Sequence, residues 1–209
     1  KYVPEFVGGK RAYNYVIVDE CTRWRFAYAY DQLSEGITVD FLERFKHNCP
    51  FPIHTIQTDN GREFTYALNP IAKHIEHKMD QWCETNKIHH RLIPPGVKEL
   101  NGKVERSHRI DEQYFYWKAP TESLQRFNEH QYRWLVFYNA KRPHGGIGYL
   151  TPLEKLKERH TTLQTATVEA SLEKLRINFL KQKPIRHMNQ DEQLDRLSQE
   201  LETLLKIVA

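Results

Sequence analysis

Apolar and polar positions along the first two thirds of the chain repeat with two periods, one typical of strands and one typical of helices. Continuous apolar runs at 12–18 and 24–30 predict two strands, and the short polar break between them predicts an antiparallel hairpin. Apolar residues at helical spacing predict a helix over 38–47. Shorter apolar runs at 53–58 and 88–93 predict two further strands, each ending in a turn.

Helices are predicted between and after these later strands. Apolar residues recur every three or four positions over 71–83 and predict an amphipathic helix. Two more helices are predicted, one beginning near Asn101 and a longer one over about 122–139. Strands and helices that alternate after an antiparallel start imply an α/β fold, with a mixed sheet and helices packed on it.

The character of the sequence changes near Thr151. Thr151 to Glu154 reads as a helix start, with Thr as N-cap, Pro at the first helical position and Glu at the third. We predict a core over 1–157 and a charged helical tail over 158–209. The last stretch carries apolar residues at alternating steps of three and four: Leu194, Leu197, Leu201, Leu204 and Val208. This spacing matches either a short coiled-coil seam used in assembly or an amphipathic helix docked on its own chain.

Composition and charge restrict the class of protein only loosely. Apolar residues make up 39% and aromatic residues 12%, which is enough for a core and argues against general disorder. No apolar run approaches the roughly 18 residues of a membrane span, so no membrane association is expected. Three cysteines and no signal peptide favour a reducing, intracellular location. The formal charge of +4 is only weakly informative about a partner.

Two carboxylates occupy positions that suit chemistry. Asp59 ends a predicted strand and precedes Asn60-Gly61, so it is presented at the carboxyl edge of the sheet, where α/β folds tend to place their sites. Glu105 lies in the first turns of a predicted helix, after a loop rich in Gly and Pro. Each residue alone has an ordinary explanation, since Asp-Asn-Gly is a common turn and an acid near a helix start stabilises it.

A zinc site is not expected at the neighbouring histidines. His89 and His90 lie close to Cys83, but the sequence has no paired ligands at zinc spacing. Adjacent residues of a strand also face opposite sides, so both imidazoles could not easily bind one ion.

The order of several motifs is more specific than either carboxylate. They are TDNGREF at 58–64, PPG at 94–96, LNGKVER at 100–106, YNAKRPH at 138–144 and TPLE at 151–154. Over about residues 1 to 157 this series resembles the catalytic core of the DDE transposases of bacterial insertion sequences and the related retroviral integrases.

The resemblance implies a ribonuclease-H-like fold and an Asp, Asp, Glu triad that binds two divalent metal ions, Mg²⁺ or Mn²⁺. Asp59 corresponds to the second acid and Glu105 to the last. The implied function is that of a transposase, which cleaves DNA at mobile-element ends and joins it to target DNA. Double-stranded DNA and further copies of the chain are the implied partners, and the nucleoid of the bacterial cytoplasm is the implied location. A non-catalytic DNA-binding or assembly module with the same fold stays open as the alternative.

The sequence departs from the family in two ways. Glu105 lies 46 positions after Asp59, which is longer than usual, and we expect the excess in a lengthened helix over 66–79. The first Asp of the triad is absent and is expected immediately upstream of Lys1. Asp19 lies only 40 positions before Asp59, so we interpret it as a turn residue that closes the hairpin.

DNA contacts are expected from basic and amide side chains around Glu105. The candidates are Lys98, Asn101, Lys103, Arg106 and Arg109. Such side chains neutralise phosphates without reading sequence, although a solvated helix face would have the same composition. Arg142 and His144 either approach DNA or cap the preceding helix.

Overall fold

The computed structural model describes residues 1–159, so the charged helical tail predicted over 158–209 lies almost entirely outside the described residues. Ten helices and strands make up this part of the chain. In order they are β1 (Tyr2–Val7), β2 (Lys10–Val18), β3 (Arg25–Tyr30), α1 (Glu35–Asn48), β4 (Thr55–Thr58), α2 (Lys78–Thr85), β5 (His89–Leu92), α3 (Gly102–Tyr114), α4 (Leu124–Ala140) and α5 (Pro152–Arg159). The predicted α/β architecture is confirmed. No helix of this described region is long and apolar enough to cross a membrane.

The first three strands form an antiparallel sheet in the order β1-β2-β3. Tyr13 lies opposite Tyr30, and Val18 lies opposite Arg25, which confirms the predicted hairpin. Asp19 closes it, because its Oδ2 accepts hydrogen bonds from the backbone N–H of Thr22 at 2.6 Å and from the Thr22 hydroxyl at 2.7 Å. The interpretation of Asp19 as a turn residue is therefore confirmed.

The last two strands form a separate parallel pair. Thr55 lies opposite His89 and Thr58 lies opposite Leu92, so the carboxyl ends of β4 and β5 meet at one edge. A groove of about 740 Å³ runs between β4 and the distal half of β2. Asp59 follows β4 at the edge where the two strands end.

Helices pack on the sheets around two groups of buried side chains. The larger core joins α1, α2 and the strands through Tyr15, Phe26, Phe41, Trp82 and others. A second core lies between β1, the end of α3 and α4, around Phe115 and Phe127. The amphipathic patterns of α1 and α4 are thus explained by burial of their apolar stripes.

Buried polar groups fix the register of the helices against β3. The Arg25 guanidinium pairs with the Asp111 carboxylate of α3, and both side chains are almost fully buried. On the opposite side, the Asn139 amide of α4 accepts from Arg25 N–H at 2.9 Å and donates to Arg25 C=O at 2.8 Å. These contacts hold α3 and α4 against the same strand.

The prediction of a helix over 71–83 is wrong for the first half of that range, which is not helical. The chain forms a series of turns over 62–75, and α2 begins only at Lys78, where His77 caps it by accepting from Met79 N–H. Ile71 and Ile75 are 88% and 62% exposed, so they do not belong to a buried helical stripe. The extra length between Asp59 and Glu105 therefore lies in an irregular segment and not in a lengthened helix.

The helix start predicted at Thr151 is confirmed, and the expected capping hydrogen bonds are present. Thr151 Oγ1 accepts from Glu154 N–H at 3.1 Å, and Glu154 Oε2 accepts from Thr151 N–H at 2.7 Å. This reciprocal pair is a capping box. Leu153 and Leu156 then anchor α5 in a third small core with Trp24.

Candidate active site

Asp59 lies at the mouth of a cavity of about 150 Å³ at the carboxyl edge of β4. Its side chain is exposed, and Oδ1 accepts from the backbone N–H of Gly61 at 3.0 Å. A Cβ at Gly61 would come within 2.7 Å of a Glu63 carboxylate oxygen, so a larger residue there would require the Glu63 side chain to move. Asp59 and Glu63 thus flank one glycine and line the same cavity.

The first turns of α3 form the opposite wall of this cavity. Asn101, Val104 and His108 line it. Glu105 is exposed in the first turn of α3, and at 100° per residue it lies next to the helix face that lines the cavity. The structure therefore brings Asp59 and the first turns of α3 to one cavity, and Glu105 lies on those turns but is not among the lining residues.

The electrostatics of the cavity favour a cation. Asp59 and Glu63 both line the cavity, so two carboxylates act on a cation placed there. On the other wall, burial lowers the pKa of His108 to about 3, and the Lys1 and Arg25 charges act in the same direction. The imidazole of His108 is therefore neutral, and its Nδ1 is buried without a hydrogen-bond partner.

The donor set fits a hard divalent cation. Asp59 and Glu63 offer carboxylate oxygens, which Mg²⁺ prefers, and Mg²⁺ ordinarily fills its remaining positions with water or phosphate. Across residues 1–159, however, no group of three or more His, Cys, Asp or Glu side chains is close enough to hold a metal ion. A site built from these residues would thus bind a metal largely through solvent and substrate oxygens.

The predicted DNA-contact residues in and just before α3 differ in their exposure and in their ion pairs. Lys103 Nζ lies 3.3 Å from Glu20 Oε1 in the hairpin turn. Arg106 and Arg109 are exposed and have no ion-pair partner among the described residues. Asn101 is half-buried between the cavity and the groove beside β4. The side chain of Lys98 lies outside the described part of the structure.

The two candidates after α4 behave as capping residues. Arg142 N–H donates to Phe137 C=O at 2.9 Å, and His144 Nε2 lies 3.3 Å from Tyr138 C=O. These contacts satisfy carbonyl groups at the end of α4. The structure therefore favours the capping interpretation of the His144 side chain, whereas Arg142 makes its contact through the backbone.

Three residues near Asp59 were not predicted as site residues from the sequence. Glu63 lies four positions after Asp59 in the TDNGREF motif, and that spacing could have suggested a second carboxylate. His108 lies one turn after Glu105, which is the signal for a shared helix face. His90 makes a hydrogen bond to Thr58 that depends on strand register, and no local pattern indicates it.

Comparison with known proteins agrees with this geometry. Two models described as the integrase core domain match the chain, one over residues 1–98 and the other over residues 86–152. The segment up to residue 152 therefore belongs to the integrase core domain family.

Relatives by sequence include one viral and one bacterial protein. The ORF3 product of Spiroplasma virus SpV1-C74, provisionally named an integrase, is 31% identical over 166 residues, which is 74% of this chain and 45% of that protein. An uncharacterised 31.7 kDa protein of insertion element IS407 from Burkholderia multivorans is 26% identical, over 74% of this chain and 52% of that protein. The chain thus spans about half the length of these relatives.

Similar solved structures are integrase cores. The catalytic core domain of BIV integrase matches with a TM-score of 0.53 at 20% identity, covering 77% of this chain and 94% of that one. The HTLV-2 integrase catalytic core domain, in a complex with magnesium and a trimeric form, matches with a TM-score of 0.53 at 16% identity, over 74% and 90% of the two chains. A chain of a simian T-cell lymphotropic virus intasome reaches 0.56 at 15% identity, covering 90% of this chain and 56% of that one. The ribonuclease-H-like fold that was predicted from the motifs is therefore confirmed.

Proposed function

We propose that this chain is the catalytic core of a DDE-type transposase, which cleaves DNA at the ends of a mobile element and transfers the 3′ end to target DNA. The observation that carries the proposal is the single cavity bordered by Asp59 on β4 and by the first turns of α3. Membership of the integrase core domain family supports this reading.

Asp59 and Glu105 would hold Mg²⁺ or Mn²⁺, together with a first Asp expected immediately before Lys1. Metal ions in such a site activate the attacking hydroxyl or water and stabilise the leaving oxygen of an in-line displacement. The side chains themselves would keep negative charge concentrated at one edge of the sheet, which favours a cation there. Glu63, which lines the cavity with Asp59, adds to this charge.

Double-stranded DNA is the proposed substrate, as element ends and as target. Lys103, Arg106 and Arg109 lie on the exposed side of the helix that carries Glu105, so phosphates bound there would lie next to the proposed site. We also propose that the protein acts as a homo-oligomer on paired ends, since one similar structure is an intasome and another a trimeric form. A relative from a bacterial insertion element favours the nucleoid of the bacterial cytoplasm as the place of action.

The test is a strand-transfer gel with the complete protein, duplex element ends and Mg²⁺. Asp59→Asn and Glu105→Gln should each abolish product, because a neutral amide is a much poorer ligand for a hard cation than a carboxylate. Asp31→Asn and Glu122→Gln, which remove surface carboxylates away from the cavity, should leave activity close to that of the unmodified protein. Full activity in both site variants would overturn the assignment.

The alternative is a DNA-binding or assembly module without chemistry. The absence of a three-ligand cluster from the described residues favours it. In that case the protein would shift duplex DNA in a binding assay with or without Mg²⁺. Neither cleaved nor joined product would then form under any metal condition.

A further inference from the structure

The residues on either side of Asp59 both make side-chain hydrogen bonds, one to β5 and the other to Ile93, which follows β5. The Thr58 hydroxyl oxygen is 2.8 Å from His90 Nε2, and Asn60 Nδ2 donates to Ile93 C=O at 2.8 Å. The backbone contributes a third hydrogen bond, in which Ile93 N–H donates to Thr58 C=O at 2.9 Å. Three hydrogen bonds therefore fix the main chain on both sides of Asp59.

Within residues 1–159 the Asp59 carboxylate makes no bond of this kind to β5. Its Oδ1 accepts from Gly61 N–H, two residues further along the same turn. The direction of the carboxylate therefore depends on how the backbone of 58–60 is held by β5.

The His90 ring makes a second hydrogen bond, to α2. Its Nδ1 lies 2.5 Å from the Asp80 Oδ1 of α2, and its side chain is only 6% exposed. A carboxylate can only accept, so Nδ1 carries a hydrogen, and Nε2 makes the second hydrogen bond of the ring, with the Thr58 hydroxyl. Asp80, His90 and Thr58 thus form a continuous chain of hydrogen bonds from α2 to the end of β4.

The adjacent histidine has no part in this chain. His89 is exposed, and its backbone N–H pairs with His54 C=O at 2.9 Å. The two neighbouring imidazoles therefore differ in one respect that matters here: only His90 is joined to Thr58.

We propose that His90 is a positioning residue, which acts through Thr58 to aim the Asp59 carboxylate into the cavity. The His90 ring contacts Thr58 and Asp80, not the Asp59 carboxylate itself. The proposal rests on the function proposed above, because it needs Asp59 to be a metal ligand. Residues that orient a metal ligand through a hydrogen bond typically change metal affinity by about 10- to 100-fold when they are removed.

The experiment measures Mn²⁺ binding to the complete protein, by the loss of the free-ion electron paramagnetic resonance signal on titration with manganese chloride. His90→Ala should weaken Mn²⁺ binding by about tenfold or more, and Thr58→Val, which keeps the shape but removes the hydroxyl, should do the same. The double variant should be no weaker than either single variant, because both break one linkage. His90→Gln should restore part of the affinity, since its amide oxygen can accept from the Thr58 hydroxyl.

His89→Ala is the matched control and should bind Mn²⁺ like the unmodified protein. The thermal midpoint of unfolding is recorded for every variant, since a merely structural role of His90 would lower it and leave Mn²⁺ affinity unchanged well below that temperature. If His90→Ala does not fold, Thr58→Val and His90→Gln carry the same test.

Asp59→Asn separates the two proposals. If Asp59→Asn abolishes Mn²⁺ binding while His90→Ala and Thr58→Val retain full affinity, the positioning role is overturned and the proposed function stands. If Asp59→Asn binds Mn²⁺ as tightly as the unmodified protein, both are overturned.

Discussion

The imidazole of His144 closes the turn after α4 and is buried there in its neutral form. Its Nε2 lies 3.3 Å from Tyr138 C=O, and its ring meets the Tyr138 ring edge-on at 4.6 Å between centroids. The guanidinium of Arg142 is 3.3 Å from Nδ1. Burial, and next the Arg142 charge, lower the pKa of His144 to about 4.

This pKa shift makes the stability of the protein depend on pH. In the unfolded chain His144 takes up a proton below about pH 6.5, whereas in the folded protein it does so only below about pH 4. The free energy of unfolding should therefore be insensitive to His144 above pH 6.5 and should fall between pH 6.5 and 4. The slope from one such imidazole is at most about 1.4 kcal/mol per pH unit.

His144→Gln should flatten this fall, as measured by urea unfolding at several pH values. His89→Gln, which changes an exposed imidazole, should retain the slope of the unmodified protein. An identical pH dependence in His144→Gln would contradict the neutral, buried state of His144.

The sequence predicts site residues only where a short local motif indicates the function. Asp59 was predicted because a strand end, an Asn and a Gly follow one another, and Glu105 because it begins a helix within an ordered series of motifs. His90 could not be predicted, since its role depends on the parallel register that places it beside Thr58. Glu63 and His108 share the cavity only because β4 and α3 meet in three dimensions.

Among the elements, prediction failed where apolar spacing lacked a partner surface. The apolar runs of β2 and β3 and the stripe of α1 are buried against one another, and each forms the expected element. Over 71–83 only Met79, Trp82 and Cys83 reach the core, so only this half becomes helical. Pro70, which lies within the turns, also disfavours helix in the residue before it.

The Arg25–Asp111 pair is the main polar link between α3 and the sheet. Asp111 also accepts from Trp134 Nε1 at 2.8 Å, so one carboxylate joins β3, α3 and α4. Asp111→Leu should lower the free energy of unfolding by about 3–5 kcal/mol, because it leaves the Arg25 charge buried without a partner. Chemical denaturation monitored by circular dichroism measures this loss.

The neighbouring ion pair on α3 provides the control. Glu112 pairs with Lys1 at the surface, and both side chains are partly exposed. Glu112→Gln should change the free energy of unfolding by less than about 1 kcal/mol. A loss from Asp111→Leu no larger than that from Glu112→Gln would show that the buried pair does not anchor α3.

For the whole molecule, the distribution of charge matters more than its sum. A net charge of +4 on 209 residues is unremarkable, and some cations of the described region are paired with carboxylates at the surface. Arg106 and Arg109 are distinguished by their position, because they are exposed on α3 close to Glu105 and have no ion-pair partner in residues 1–159. Affinity for DNA should therefore depend on these few cations.

Binding to a duplex of arbitrary sequence should fall steeply with salt, and each phosphate contact contributes about 0.9 to the slope of log K against log salt. Arg106→Gln and Arg109→Gln should each reduce this slope by about 1, equally for unrelated duplex sequences, because phosphate contacts carry no sequence information. Lys103→Gln should have a smaller effect, since Glu20 already neutralises part of the Lys103 charge. Lys46→Gln, on α1, changes net charge by the same amount and should leave the slope unaltered in fluorescence anisotropy titrations. Slopes unchanged by both arginine variants would mean that DNA approaches another face of the molecule.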